Sequence, residues 1–107
     1  MTQKQKIGRS KGARRICLWN RAMIKNGFEY GQPICIAVEN GARLMVYAKA
    51  GPRKVSKVMN HGNELPVIDL KETKSLDFSF LGEVGDKVVV SIQPGKITIS
   101  KDEGGEG

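Results

Sequence analysis

The sequence predicts a mainly β fold with two short helices, in which two similar halves of one chain close a pseudo-twofold β-barrel. Three observations indicate this fold: apolar residues alternate along short runs, turn dipeptides containing glycine separate the runs, and the whole pattern occurs twice. With 107 residues, of which 39% are apolar, the chain has enough material for one modest core. We therefore expect the two halves to fold together as one domain.

The repeat is clearest in residues 31–41 and 85–95, which each begin and end with a glycine and are 54 residues apart. Three alternating apolar positions match within these segments: Ile34, Ile36 and Val38 in the first, and Val88, Val90 and Ile92 in the second. A second alternation follows each segment, namely Leu44 and Val46 in one copy and Ile97 and Ile99 in the other. Each copy therefore predicts a β-hairpin, because a typical turn dipeptide separates its two strands, Asn40-Gly41 or Pro94-Gly95.

A further strand is predicted upstream of each hairpin, with matching apolar positions at Ile16 and Leu18 in one copy and Ile68 and Leu70 in the other. A unit of about 40 residues cannot cover both faces of such short strands. Two units in one chain can cover each other, which is why we expect a shared barrel.

A short helix is predicted between the upstream strand and the hairpin of each copy. In the first copy, Asn20 is a suitable N-cap and Gly27 a suitable left-handed stop. In the second copy, Asp69 precedes residues 70–76, and Glu72 stands at the spacing of a capping box. Each copy is thus predicted to run strand, helix, strand, strand.

The predicted organisation has five parts, of which the two repeats form a single domain. They are a basic N-terminal arm (1–11), a first β-α-β-β repeat (12–49), a linker (50–56), a second β-α-β-β repeat (57–101) and an acidic disordered tail (102–107).

Positive charge is concentrated in the first half of the chain. The net charge is +7, and residues 1–50 contain ten Lys and Arg but only two acids, whereas residues 51–107 contain eight Lys and Arg and nine acids. A one-sided distribution of this kind attracts a polyanion. The alternative is a solvated or disordered basic tail.

Several other classes of protein are disfavoured by the composition. No run approaches the length of a membrane span, and no apolar segment follows the basic N-terminus as a secretory signal requires. Cys17 and Cys35 lie in apolar runs and are interpreted as reduced thiols of a cytoplasmic protein, with a single disulfide as the alternative. His61 is the one histidine, so we expect no metal site, no cofactor and no catalytic residues.

Two segments resemble a known family. Residues 81–90 (LGEVGDKVVV) with 95–99 (GKITI) resemble the swapped-hairpin barrel of the AbrB, SpoVT and MazE-like proteins, and residues 65–71 (LPVIDLK) are similar to its SymE-like branch. Family members usually supply one copy and dimerise into an interleaved barrel. The resemblance therefore implies a barrel that closes within this single chain, as a monomer with an internal pseudo-dimer, and leaves a further homodimer open.

The resemblance also implies that the protein binds DNA through loops and first strands at one end of the barrel. The positions that match are residues 9–15 and 54–64, and Glu64 in the second segment occupies the place of Arg14 in the first. The candidate nucleic-acid-binding residues, extended by two cations on the first predicted helix, are Arg9, Lys11, Arg14, Arg15, Arg21, Lys25, Lys54 and Lys57. For the helix cations the alternative is a solvated face. Trp19 and Tyr30 could stack on bases, but core or interface positions are the alternative.

The function that these observations predict is a non-enzymatic DNA-binding protein, a small transcriptional regulator of bacterial, plasmid or phage origin. Its partner would be nucleic acid, with duplex DNA favoured over RNA, and not a membrane. Two alternatives stay open: a SymE-like toxin that cleaves RNA, and an antitoxin or inhibitor that acts by binding another protein.

Overall fold

Strands account for most of the chain in the computed structural model, which describes residues 2–74 and 76–102. The fold is mainly β, as predicted. The strands are β1 (Thr2–Lys6), β2 (Gly8–Ser10), β3 (Ala13–Trp19), β4 (Pro33–Glu39), β5 (Arg43–Tyr47), β6 (Arg53–Lys54), β7 (Ser56–Asn60), β8 (Asn63–Lys71), β9 (Lys87–Gln93) and β10 (Lys96–Lys101). One helical turn, α1 (Ala22–Lys25), and one 3₁₀ turn, Ser79–Leu81, complete the regular structure of the described residues.

The strands form two antiparallel sheets. The six-stranded sheet has the order β1-β9-β10-β5-β4-β6, and the four-stranded sheet has the order β2-β3-β8-β7. In the six-stranded sheet the predicted hairpins β4–β5 and β9–β10 meet along β5 and β10, with Val46 opposite Ile97. In the four-stranded sheet β3 and β8 pair at the centre, with Cys17 opposite Asp69.

The internal repeat is visible in the strand pairing. The first half contributes β1 to β5 and the second half β6 to β10, and equivalent strands have equivalent neighbours. β1 leaves its own half to pair with β9, and β6 likewise pairs with β4. Ile7, after β1, donates its N–H to the Asp86 carbonyl at 2.8 Å, and Val55, after β6, donates its N–H to the Gln32 carbonyl at 3.0 Å.

The core lies between the two sheets and follows from the apolar alternation. On β3, Ile16 and Leu18 are fully buried, and on β8 the same holds for Ile68 and Leu70. Successive side chains of a strand point to opposite faces, so the intervening residues face away from the core. Phe28, from the loop that follows α1, is also fully buried in this cluster.

Two parts of the predicted fold are wrong. The described strands form two separate sheets and not a closed barrel. The first predicted short helix forms as the single turn α1. The second does not form where it was predicted, because Leu70 and Lys71 continue β8. The Glu72 N–H then donates to the Arg14 carbonyl at 2.9 Å. A helix starting at residue 70 would leave the backbone groups of β3 without these partners.

The segments predicted as arm, linker and tail have defined places where they are described. Residues 2–6 and 8–10 of the arm lie in β1 and β2, and residues 53–54 of the linker form β6. Of the tail, Asp102 lies 3.5 Å from the Lys4 ammonium, and residues 103–107 are outside the described residues. Within the described part of the chain, no helix is long and apolar enough to cross a membrane.

Candidate nucleic-acid interface

The side of the four-stranded sheet that faces away from the core carries a set of charged residues. Because Ile16 and Leu18 point inward, their neighbours Arg15, Cys17 and Trp19 point outward from β3. The same alternation directs Asp69 outward from β8, directly opposite Cys17. The centre of this face is therefore formed by the two strands that are equivalent in the repeat.

Three cations lie around Asp69 at this centre, two at its carboxylate and one at its backbone carbonyl. Arg15 Nε donates a hydrogen bond to Asp69 Oδ1 at 2.8 Å, and Arg53 donates one to the Asp69 backbone carbonyl at 2.8 Å. The Lys71 ammonium lies 4.0 Å from Asp69 Oδ2. The hydrogen bond to Asp69 and the charge of that carboxylate raise the pKa of Arg15 above its ordinary value. One acid cannot neutralise three cations, so positive charge remains exposed here.

Further cations border this centre. Lys6 and Arg9 line one shallow cleft together with Arg15, and Lys57 lines a neighbouring groove with Arg15 and Asp69. Lys57 also pairs with Glu64 at 3.3 Å. We call this surface the cationic face and define it by Lys6, Arg9, Arg15, Arg53, Lys57 and Lys71. Asp69 and Glu64 are the acids that pair with its members.

Arg14 lies close to this face but has a different role. Its guanidinium donates to both oxygens of Glu72, at 2.9 and 2.7 Å, and to both oxygens of Glu83, at 2.8 Å. The hydrogen bonds to Glu83 are the main cause of a raised Arg14 pKa, and the charge of Glu72 adds to it. The two bidentate pairs hold the ends of β3, β8 and the 3₁₀ turn region together. Both terminal nitrogens of this guanidinium are therefore occupied within the protein, whereas its buried Nε has no hydrogen-bond partner among the described residues.

The other predicted site residues lie around the face. Lys11 occupies the tip of the β2–β3 hairpin in the left-handed conformation, with a φ of 51°. Arg21 precedes α1 and Lys25 is its last residue, and both line a groove with Asn63 and Glu64, beyond the end of β3. Lys54 is exposed on β6, opposite Pro33. Of the predicted cations, Arg9 and Lys57 therefore each line a cleft with Arg15, and the remaining ones are distributed around them.

Three members of the cationic face were absent from the predicted site: Lys6, Arg53 and Lys71. The sequence carried a signal for one of them. Residues 6–9 (KIGR) and 54–57 (KVSK) share the pattern cation, apolar, small, cation, and Ile7 and Val55 at the second position make equivalent backbone hydrogen bonds. In this short repeat Lys6 is equivalent to Lys54, and Arg9 is equivalent to Lys57. For Arg53 and Lys71 no such signal exists, since their positions depend on the fold around Asp69.

The thiol of Cys17 and the imidazole of His61 lie in different environments. Burial, and then the nearby Asp69 charge, raise the pKa of the Cys17 thiol, which keeps it protonated and a poor nucleophile. His61 stands at the exposed tip of the β7–β8 hairpin with a φ of 52°, and in the described structure no carboxylate pairs with it. Among the described residues, no three histidine, cysteine or acidic side chains converge as a metal site requires.

Comparison of the chain with protein-family models, with curated proteins and with solved structures finds no match.

Proposed function

We propose that the protein binds nucleic acid, with the cationic face contacting backbone phosphates. The observation that carries this proposal is the convergence of Arg15, Arg53 and Lys71 on Asp69. Cations held this close repel one another, and a phosphate backbone that approaches them relieves the repulsion and releases its own counterions. Lys6 and Arg9 extend the same surface along β1 and β2. The positions of phosphate contacts would thereby be set by strands and not by a loose tail.

The sequence resemblance favours duplex DNA as the ligand and a small regulator as the role. The exchange of β1 and β6 between the halves supports a fold of the swapped-hairpin type, with both AbrB-like copies in one chain. A face centred on the β3–β8 pair would present the approximate twofold of the repeat to a ligand with its own twofold symmetry. RNA is the second candidate ligand, because its backbone offers the same phosphates to the same cations.

Fluorescence anisotropy with labelled duplex DNA, single-stranded DNA and RNA over a series of salt concentrations tests the proposal. Each phosphate contact contributes about −0.9 to the slope of log K against log salt for duplex DNA. Four to five contacts from the cationic face would give a slope of about −4. A double variant, Arg15→Ala with Arg53→Ala, should bind more weakly and with a shallower slope.

The matched control is Arg43→Ala with Lys101→Ala, which removes the same charge from the exposed ends of β5 and β10 in the six-stranded sheet. This control should keep most of the affinity and slope. Equal losses in both double variants, or no binding to any of the three ligands at low salt, would refute the proposal.

A further inference from the structure

Trp19 has an unusual position for the single tryptophan of a small protein. It ends β3 on the outward side and is 50% exposed, although tryptophan is highly buried in most proteins. Its side chain lines two open grooves. One, of about 520 Å³, also includes Cys17, Val58, Met59 and Val67. The other, of about 460 Å³, includes Arg21 and His61.

The first groove has both apolar and charged lining residues. Val58 and Met59 belong to the edge strand β7 and are 42% and 60% exposed, so the groove is open to solvent along that strand. Arg15, Asp69 and Lys57 are its charged lining residues. Lys57 lies 4.9 Å from the centre of the Tyr30 ring, which keeps a second exposed aromatic residue beside this cation.

We infer that this groove receives one unpaired base of a single-stranded nucleic acid, stacked on Trp19, while Arg15 and Lys57 contact the phosphates beside it. The inference rests on the proposed function, in which the cationic face binds phosphates, and at this groove it favours a single strand over the duplex that the sequence resemblance implies. Every base has a flat π-face, and an exposed aromatic ring next to a basic surface provides the stacking platform that single-strand-binding proteins use. Charge complementarity favours this occupant, because the groove is continuous with the cationic face.

A paired base cannot use the groove. In a duplex both faces of each base are covered by its neighbours, so a duplex would contact the phosphate-binding cations and leave the Trp19 ring unchanged. Single strands should therefore bind more tightly than duplexes of the same length, by about tenfold, since stacking of one base on an aromatic side chain accounts for a difference of that order.

Trp19 itself reports on the contact, because its fluorescence is the only tryptophan signal of the chain. A thymidine oligomer and a duplex of equal length are titrated into the full-length protein at low salt, and anisotropy of labelled strands gives affinity independently. We expect the single strand to quench Trp19 emission and the duplex to leave it unchanged. Trp19→Ala should lose about tenfold in affinity for the single strand and keep its affinity for the duplex.

A second variant keeps the reporter in place. Val58→Glu puts a carboxylate on the groove wall, on a residue exposed enough that folding should tolerate the change. Its control is Val38→Glu on β4, which adds the same charge at a valine that is 44% exposed. Val58→Glu should abolish quenching by the single strand, and Val38→Glu should preserve it.

The two proposals fail in different ways. Binding by anisotropy without Trp19 quenching, or equal quenching by duplex and single strand, overturns the groove assignment and leaves the proposed function standing. If neither assay detects binding, both the groove assignment and the proposed function are refuted. A change in Trp19 emission with protein concentration alone, accompanied by a dimer mass in light scattering, would show that a second copy covers the groove and would also overturn the assignment.

Discussion

The two halves of the molecule have nearly the same backbone and very different surfaces. Lys11-Gly12 and His61-Gly62 form equivalent hairpin turns, with φ values of 51° and 84° in the first and 52° and 80° in the second. Both residues of each pair have positive φ, as a two-residue turn of this type requires. Next to the first turn, Arg14 is held by Glu72 and Glu83, which both come from the second half. The equivalent strand position in the second half is Pro66, which lies opposite Lys57 as Arg14 lies opposite Arg9, so the predicted equivalence of Arg14 with Glu64 is wrong.

The fold depends on the backbone hydrogen bonds and apolar positions that the two halves share. The surface charge depends on side chains in which the halves differ. Backbone hydrogen bonds and apolar positions repeat, so either half provides the same support to the core. Apart from the cations of residues 6–9 and 54–57, the charged side chains discussed above do not repeat, and the Arg14 cluster joins the halves at one end only. A symmetric backbone can therefore present an asymmetric binding surface.

The largest effect is expected in the shared core. Ile16 and Ile68 are equivalent in the repeat, and each is 2% exposed or less. Ile16→Ala and Ile68→Ala should each lower the free energy of unfolding by about 2–5 kcal/mol, because each leaves a cavity in the same core. Urea unfolding followed by circular dichroism measures both. A loss confined to one of the two variants would mean that the halves do not support the core equally.

The next effect concerns two pairs of cations at equivalent positions in the repeat, Lys6 with Arg9 and Lys54 with Lys57. Replacing Lys6 and Arg9 by alanine should make the slope of log K against log salt less negative by about 1.8, from two lost phosphate contacts. Replacing Lys54 and Lys57 should change it less, because Lys57 already pairs with Glu64 and lies over Tyr30. Anisotropy titrations at several salt concentrations provide both slopes. Equal slopes for the two double variants would show that the halves bind equivalently.

A smaller effect separates structural from binding arginines. Arg14→Gln should lower the urea midpoint, by less than Ile16→Ala, because Glu72 and Glu83 lose the guanidinium that joins them. It should leave the salt slope of nucleic-acid binding unchanged. Arg15→Gln should make the slope of log K against log salt less negative. It should change the urea midpoint little, because the side chains of Arg15 and its partner Asp69 are both partly exposed. A reduced slope in Arg14→Gln would place that residue among the phosphate contacts.

The smallest effect comes from the loop that replaces the predicted second helix. Ser79 donates its N–H and its hydroxyl to the Asp77 carboxylate, both at 2.9 Å, and these bonds lower the Asp77 pKa below 3.8. A lowered native pKa stabilises the folded state above pH 3.8 and loses this contribution as the pH falls through the native value. Asp77→Asn should thus flatten the dependence of the urea midpoint on pH below about 4. Parallel curves for the two proteins would contradict this.

The repeat and its strands could be predicted because apolar alternation is a local pattern with an unambiguous period. β1 could not, since residues 2–6 (TQKQK) contain no apolar residue and become a strand by pairing with β9. Residues 70–71 carry helix-like sequence signals, but pairing with β3 overrides them. In both segments, pairing with a distant strand determines the secondary structure, because the intrinsic preferences of the residues are weaker than the effect of their tertiary contacts.

The candidate site could be predicted only in part, for a similar reason. Arg9, Arg15 and Lys57 were found from their positions before or within basic segments. Arg53 and Lys71 reach the same face because both converge on Asp69, and they are 18 residues apart in the chain. Arg14 shows the opposite case, since the sequence gives no sign that two acids 58 and 69 residues away occupy it.

Mapping of amide chemical shifts by NMR, as an unlabelled oligonucleotide is added to isotopically labelled protein, tests the central claim most directly. Binding through the cationic face predicts that the largest shift changes occur at Lys6, Arg9, Arg15, Arg53 and Lys71, with small changes at Arg43 and Lys101. Changes concentrated on the six-stranded sheet, or no changes at saturating oligonucleotide, would contradict the account.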